Sequence, residues 1–346
     1  MKNPGKGRKC VILCAAILCE AKVLFLERAL LPRTGGLSLR KWGRDLRKRD
    51  NRKVNAALIR RPIQRWFPLF ILPTFLCFII GFIWPFMQGI YLSFCKFNTP
   101  KDAEWVGIQN YVKAFGDPGF LNAFKNTAAF AIVSIILINV VAFAIAYALP
   151  QKMRGANLFR TVFFMPNHIG GVDQGYVWQM IFDGILRQYN TYLTANATYG
   201  FWGLVILVAW QQIGYMMIIY IAGLQAVPGD MLEAARIDGA SGWQTLWHVT
   251  IPNVMSSITI SVLLTLTNTF KLFDQNMALT GGAPEIMAEG TKIKMTEMLA
   301  LNIFNTYNIN KNWHGVAQAK AVVFFIIVAV LALAQLRATR SKEVQQ

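Results

Sequence analysis

Asn268, Lys271 and Gln275 lie three and four residues apart within a mainly apolar run, with Thr267 and Asp274 beside them. On a helix, positions i, i+3 and i+7 share one face, so this spacing gathers amide and ammonium groups into a stripe two turns long. Gln211, Gln212 and Tyr215, preceded by Trp210, interrupt an earlier apolar run in the same way. In hydrocarbon such groups are costly unless they are paired or face a water-filled path. Their chemistry is recognition by hydrogen bonds, with aromatic faces available to apolar C–H surfaces. Two bland roles stay open beside it. Lys271 can pair with Asp274 at i+3, and Tyr215 can pack between helices with its hydroxyl on a neighbour.

Covalent and metal chemistry find no comparable footing. Cys10, Cys14, Cys19, Cys77 and Cys95 form neither a disulfide framework nor a metal-ligand spacing. The sequence has no G-x-x-x-x-G-K-[ST] loop, so any ATP hydrolysis has to occur on another chain, and this one is read as a non-enzyme. His168 and Asp173 invite a proton relay, which makes a proton-coupled secondary transporter the alternative reading. Asn196-Ala197-Thr198 matches a glycosylation acceptor, a signal short enough to arise by chance.

The elements that must carry these residues are membrane spans. The 346 residues are 55% hydrophobic and 15% charged, with a mean hydropathy of +0.38, too apolar for an ordinary soluble domain. Six apolar runs, at about 67–92, 126–149, 162–183, 201–224, 256–280 and 315–336, each approach the roughly 20 residues a bilayer core requires. The expected architecture is all-α, with a basic extension over 1–66, a six-span domain over 67–336 and a tail over 337–346.

Charge sets the orientation. Residues 1–66 hold 18 Lys/Arg against 4 Asp/Glu, which is +14 of the total +18. A basic flank before the first span is what cytoplasmic retention requires, and it argues against nucleic acid as the partner. Whether residues 1–60 lie on the membrane, imitate a signal peptide or reflect an upstream start stays open. Lys152, Arg154 and Arg160 put the second loop in the cytoplasm, and Arg337, Arg340 and Lys342 do the same for the tail. The loops 96–121 and 281–314 balance their charges and face outward. With both termini inside, the segment from Gln225 to Met255 is cytoplasmic.

That segment contains Glu233 to Pro252, EAARIDGASGWQTLWHVTIP, the one polar, turn-bearing stretch between two long apolar runs. Pro228-Gly229 ends the preceding helix, Asp230 is placed to cap a new one, and Gly239 with Gly242 separates it from a second short segment carrying Trp243 and Trp247. Glu233-Ala234-Ala235, Gly239 four residues after the last Ala and a closing Ile251-Pro252 resemble the EAA signature of permease subunits of binding-protein-dependent ABC importers. Asp238-Gly239-Ala240 matches the carbohydrate-uptake branch. Trp105 to Tyr111 resembles that branch's W-x-G-x-x-N-Y element, Phe163-Phe164-Met165-Pro166 its F-F-x-P, and Thr280-Gly281-Gly282 its T-G-G. The likeness runs from about Phe67 to the C-terminus. It departs at Ala283-Pro284, and at Asp173-Gln174, which put the lipid-facing surface of the third span in doubt.

The resemblance implies a six-span permease fold whose loop over 228–253 docks on an ATPase subunit through Glu233, Ala234, Ala235, Asp238 and Gly239. It implies a second permease in a heterodimer, two ATPase copies holding ATP and Mg, and an extracellular solute-binding protein. By alignment, Tyr215 and Asn268 fall at solute-facing positions, and Gln212, Lys271 and Thr267 join them in the candidate pathway. A sugar, with many hydroxyls and a few apolar C–H faces, suits amide and hydroxyl partners beside Tyr215 and Trp210. The expected location is a prokaryotic plasma (inner) membrane, crossed several times, with both termini cytoplasmic.

Overall fold

In a computed structural model, residues 67, 69, 71–149, 155–288, 290–309 and 311–340 are described. The basic extension over 1–66, with Cys10, Cys14 and Cys19, and the tail beyond 340 lie outside the described residues. The chain divides into two compact units, Met1–Gln88 and Gly89–Gln346. In the first, Phe78, Phe82 and Phe86 stack at successive turns, with centroids 5.2 and 6.2 Å apart.

The described chain is overwhelmingly helical, as it must be where lipid offers backbone groups no partner. Helix α1 spans Ile71–Ser93, with a π-turn over Ile79–Ile83. A two-residue ribbon of β1 (Cys95–Lys96) and β2 (Glu104–Trp105) leads to α2 (Gln109–Phe115). Helix α3 (Pro118–Ala148) opens with proline in its first turn and Asp117 as cap, the carboxylate accepting from the Gly119 amide at 2.9 Å. Helices α4 (Ala156–Phe164) and α5 (Gly171–Leu186) follow, and then α6 (Ala197–Gln225). Asn196 caps α6 by accepting from the Thr198 amide, so the sequon-like triplet is a helix start.

The loop that follows contains α7 (Gly229–Ile237) and α8 (Gly242–Asn253), the latter with a π-turn over Leu246–Thr250. Helix α9 (Met255–Phe270) is bent 70° from α8, and α10 (Asp274–Leu279) lies beyond a break. The hairpin of β3 (Glu285–Ala288) and β4 (Thr291–Lys294) precedes α11 (Leu299–Ile309) and α12 (His314–Arg340).

Among the described residues four helices, α1, α3, α6 and α12, are long and apolar enough to cross a membrane; α8 with α9 makes a fifth if the bent pair counts as one. The expected third span is divided into α4, a 3-10 turn over Met165–His168 and α5. Pro166 and the Gly170-Gly171 pair account for the division. The expected fifth span ends as a helix at Phe270 and resumes at Asp274. The main core forms where α3 packs on α6, around Phe130, Ile138, Leu204, Leu207, Met216, Met217 and Tyr220. Helices α4 and α6 approach tightly at Gly214, where a Cβ would stand 1.7 Å from the Phe163 carbonyl oxygen, so no side chain fits there.

Candidate functional site

The loop over 228–253 is built from local rules. Helix α7 follows Pro228, the N-cap, which offers no side-chain cap; Asp230 therefore does not cap the helix but sits in its first turn, where its charge suits the helix dipole. The helix closes in a Schellman motif. The Ala240 amide donates to the Ala235 carbonyl at 3.0 Å and the Gly239 amide to that of Arg236 at 3.1 Å, with Gly239 at φ +74°. A Cβ at Gly239 would meet nothing within 4 Å, so the requirement is for the left-handed backbone and not for room. Ser241 then starts α8 with a capping box shared with Gln244.

Glu233, Ala234, Asp238 and Gly239 are exposed and Ala235 is half-buried. Ile237 is 80% exposed and Trp243 68%, so this surface presents apolar groups as well as charge. A cavity of about 350 Å³ lies between the loop and the ends of α3 and α6, lined by Tyr147, Ile221, Gln225, Arg236, Thr245 and Thr250 among others.

The two polar groups of the spans meet. Asn268 Nδ2 donates to Gln212 Oε1 at 3.4 Å, joining α9 to α6, and Gln275 Nε2 donates to Gln211 Oε1 at 2.8 Å, joining α10 to α6. Gln211 and Gln212 are buried and Asn268 half-buried. Phe164 packs on Tyr215 with centroids 6.2 Å apart, so Phe163 to Pro166 form a wall beside this patch. Trp210 meets Trp178 edge-on at 5.4 Å.

Other expectations fall differently. Thr267 Oγ1 donates to the Leu263 and Leu264 carbonyls of its own helix. Lys271 caps the C-terminus of α9, exposed, and makes no ion pair with Asp274 among the described residues. The i+3 geometry fails because the helix stops between them. His168 and Asp173 are both exposed and no hydrogen bond joins them; His168 packs edge-on against Phe164. Gln174 is buried and donates to the Pro166 carbonyl, so of the Asp173-Gln174 departure Gln174 faces protein while Asp173 is exposed.

The other quoted elements have structural work. Asn110 donates to the Ser93 and Cys95 carbonyls, both at 2.9 Å, while Trp105 stacks on Phe94. Thr280 Oγ1 accepts from the Gly282 amide at 3.3 Å, and Gly281 and Gly282 both have positive φ.

Two clusters escaped the sequence reading. In the first, Tyr220 and Ser261 hydroxyls both donate to Asn139 Oδ1 at 2.7 Å, while Asn139 Nδ2 donates to the Ile135 carbonyl at 2.8 Å and to Thr265 Oγ1 at 3.3 Å. In the second, fully buried Lys320 donates to Asp117 Oδ2 at 2.6 Å, Thr306 Oγ1 at 2.8 Å and Asn302 Oδ1 at 3.0 Å. Its ammonium also lies 5.4 Å from the Phe120 ring centre. Glu297 completes this cluster by accepting from Asn302 at 2.7 Å. Each was signalled by a polar residue inside an apolar run, Asn139 in the second and Lys320 in the sixth.

Residues 156–340 match the family model described as the binding-protein-dependent transport system inner membrane component. The chain is 39% identical over 289 residues to the probable starch degradation products transport system permease protein AmyD of Thermoanaerobacterium thermosulfurigenes, covering 81% of this chain and 96% of that one. It is 28% identical over 297 residues to the multiple sugar-binding transport system permease protein MsmF of Streptococcus mutans, covering 83% and 99%. In fold it resembles a chain of a bacterial ABC transporter involved in the import of the acidic polysaccharide alginate. The TM-score is 0.67 at 18% identity, over 82% of this chain and 98% of that one.

Proposed function

The chain belongs to the family of binding-protein-dependent transport system inner membrane components, and on that premise we propose that it is a membrane permease subunit of an ATP-driven importer for a carbohydrate. The observation that carries the reading is the exposed loop closed by the Gly239 Schellman motif, flanked directly by the two helices whose Gln212 and Asn268 amides meet. The proposed docking residues are Glu233, Ala234, Ala235, Asp238 and Gly239, with Glu233 meeting a basic side chain of the ATPase. ATP and Mg belong to that ATPase, present in two copies. A second permease completes the pore, and an external solute-binding protein delivers the cargo. Both termini of this chain face the cytoplasm across a prokaryotic inner membrane.

The proposed solute path runs by Gln212, Tyr215 and Asn268, with Thr267 and Lys271 at its margin. Amides that now bond each other would exchange those bonds for sugar hydroxyls at little net cost. The names of the two relatives, for starch degradation products and multiple sugars, favour an oligosaccharide over a simple ion. ATP-driven closure of the ATPase pair would move α7 as a rigid body and turn the path from one face to the other.

Glu233→Lys tests the docking surface. The variant chain should no longer co-purify with its ATPase subunit while still reaching the membrane. Retained assembly and normal uptake would remove this loop from the interface.

A further inference from the structure

We infer that Asn139 is a positioning residue that clasps the helices on either side of the loop to α3, so that a displacement of the loop is carried to the Gln212–Asn268 pair. This rests on the ATP-driven reading above. The geometry suits that task. Tyr220 belongs to α6, which enters the loop, and Ser261 to α9, which leaves it; both hydroxyls converge on one oxygen of Asn139. All four hydrogen-bonding capacities of the amide are used, two accepted and two donated, so the node is complete at a depth where an open one would be costly.

Its position follows from helix rise. Tyr220 lies eight residues after Gln212 on α6 and Ser261 seven before Asn268 on α9, about 10–12 Å along each helix at about 1.5 Å per residue. On the other side, Tyr220 and Ser261 stand only five and six residues from the loop ends of their helices, Gln225 and Met255. The node therefore sits between input and path on both helices. A cavity lined by Tyr147 of α3 and Arg236 of α7 lies between the loop and α3, whereas the flanking helices run continuously from the loop to the node. Phe143 of α3, edge-on to the Tyr220 ring at 5.4 Å, stiffens the same junction.

The test needs no knowledge of the solute. In the full complex, with the five native cysteines replaced by alanine, Thr267→Cys serves as a reporter for a membrane-impermeant maleimide added from outside. With Asn139 intact, trapping by ATP and vanadate should change the labelling rate by about tenfold, and with Asn139→Leu by less than about twofold, while ATP hydrolysis persists. A full change in Asn139→Leu overturns the clasp. Absence of any change with Asn139 intact overturns the ATP-driven reading instead. Should Asn139→Leu fail to assemble, Tyr220→Phe combined with Ser261→Ala decides by the same measure, since each removes one donor and keeps the fold's volume; an undiminished change there refutes the inference. A merely structural role would lower assembly and hydrolysis together, without separating hydrolysis from accessibility.

Discussion

At the scale of single residues, what matters is whether a polar group spends its bonds on the fold or keeps them for a solute. Lys320 spends all of them: it is fully buried and bonded to Asp117, Asn302 and Thr306. Lys320→Met removes the cation from a pair whose partner Asp117 is itself mostly covered, and should destabilise the chain by roughly 3 kcal/mol. Thermal denaturation in detergent measures that loss, and an unchanged midpoint contradicts it. Asn268 makes one long bond, at 3.4 Å, and is half-buried. Asn268→Leu should lower uptake several-fold, about 1 kcal/mol in binding, with assembly intact. Unaltered uptake would take Asn268 off the path. Both residues were visible in the sequence as polar groups in apolar runs. The spacing of Asn268 and Lys271 suggested one continuous stripe, yet the end of the helix at Phe270 turns them to different tasks.

Secondary-structure elements were legible in proportion to how local their causes are. The loop over 228–253 was readable because glycine, serine and proline act within four residues of themselves. Gly239 ends α7 and Ser241 begins α8, as their types dictate. Asp230 was misplaced as a cap because Pro228 already fixes the start of the helix one residue ahead of Gly229. Gly239→Ala should cost the loop about 1 kcal/mol through its positive φ alone and leave transport largely intact, because no neighbour stands within 4 Å. Gly239→Asp adds a charge to the same exposed turn and should abolish hydrolysis coupled to uptake. Equal activity of the two variants would show that backbone conformation, and not the docking face, is what the glycine supplies. The break at 271–273 was not legible, because hydropathy registers composition and not whether a helix continues; the break at 165–170 had its signal in Pro166 and Gly170-Gly171, which a hydropathy reading alone passes over.

At the scale of the whole molecule, the loop over 228–253, proposed as the input, is joined to the proposed polar path through two helices that share the buried Asn139 amide. Its membrane character was evident from composition, and the permease family from the loop. The junction at Asn139 depends on contacts between residues 81 and 122 positions apart, beyond any local pattern. The central claim is that ATP, and not an ion gradient, drives the solute through this path. It is tested most directly by uptake of an oligosaccharide that stimulates ATP hydrolysis by the complex, into membrane vesicles holding the complete complex and its binding protein, with ATP maintained and the proton gradient collapsed by an uncoupler. Uptake should continue undiminished, and should cease when ATP is withdrawn while the gradient is kept. Uptake that ceases with the uncoupler and persists without ATP contradicts the claim.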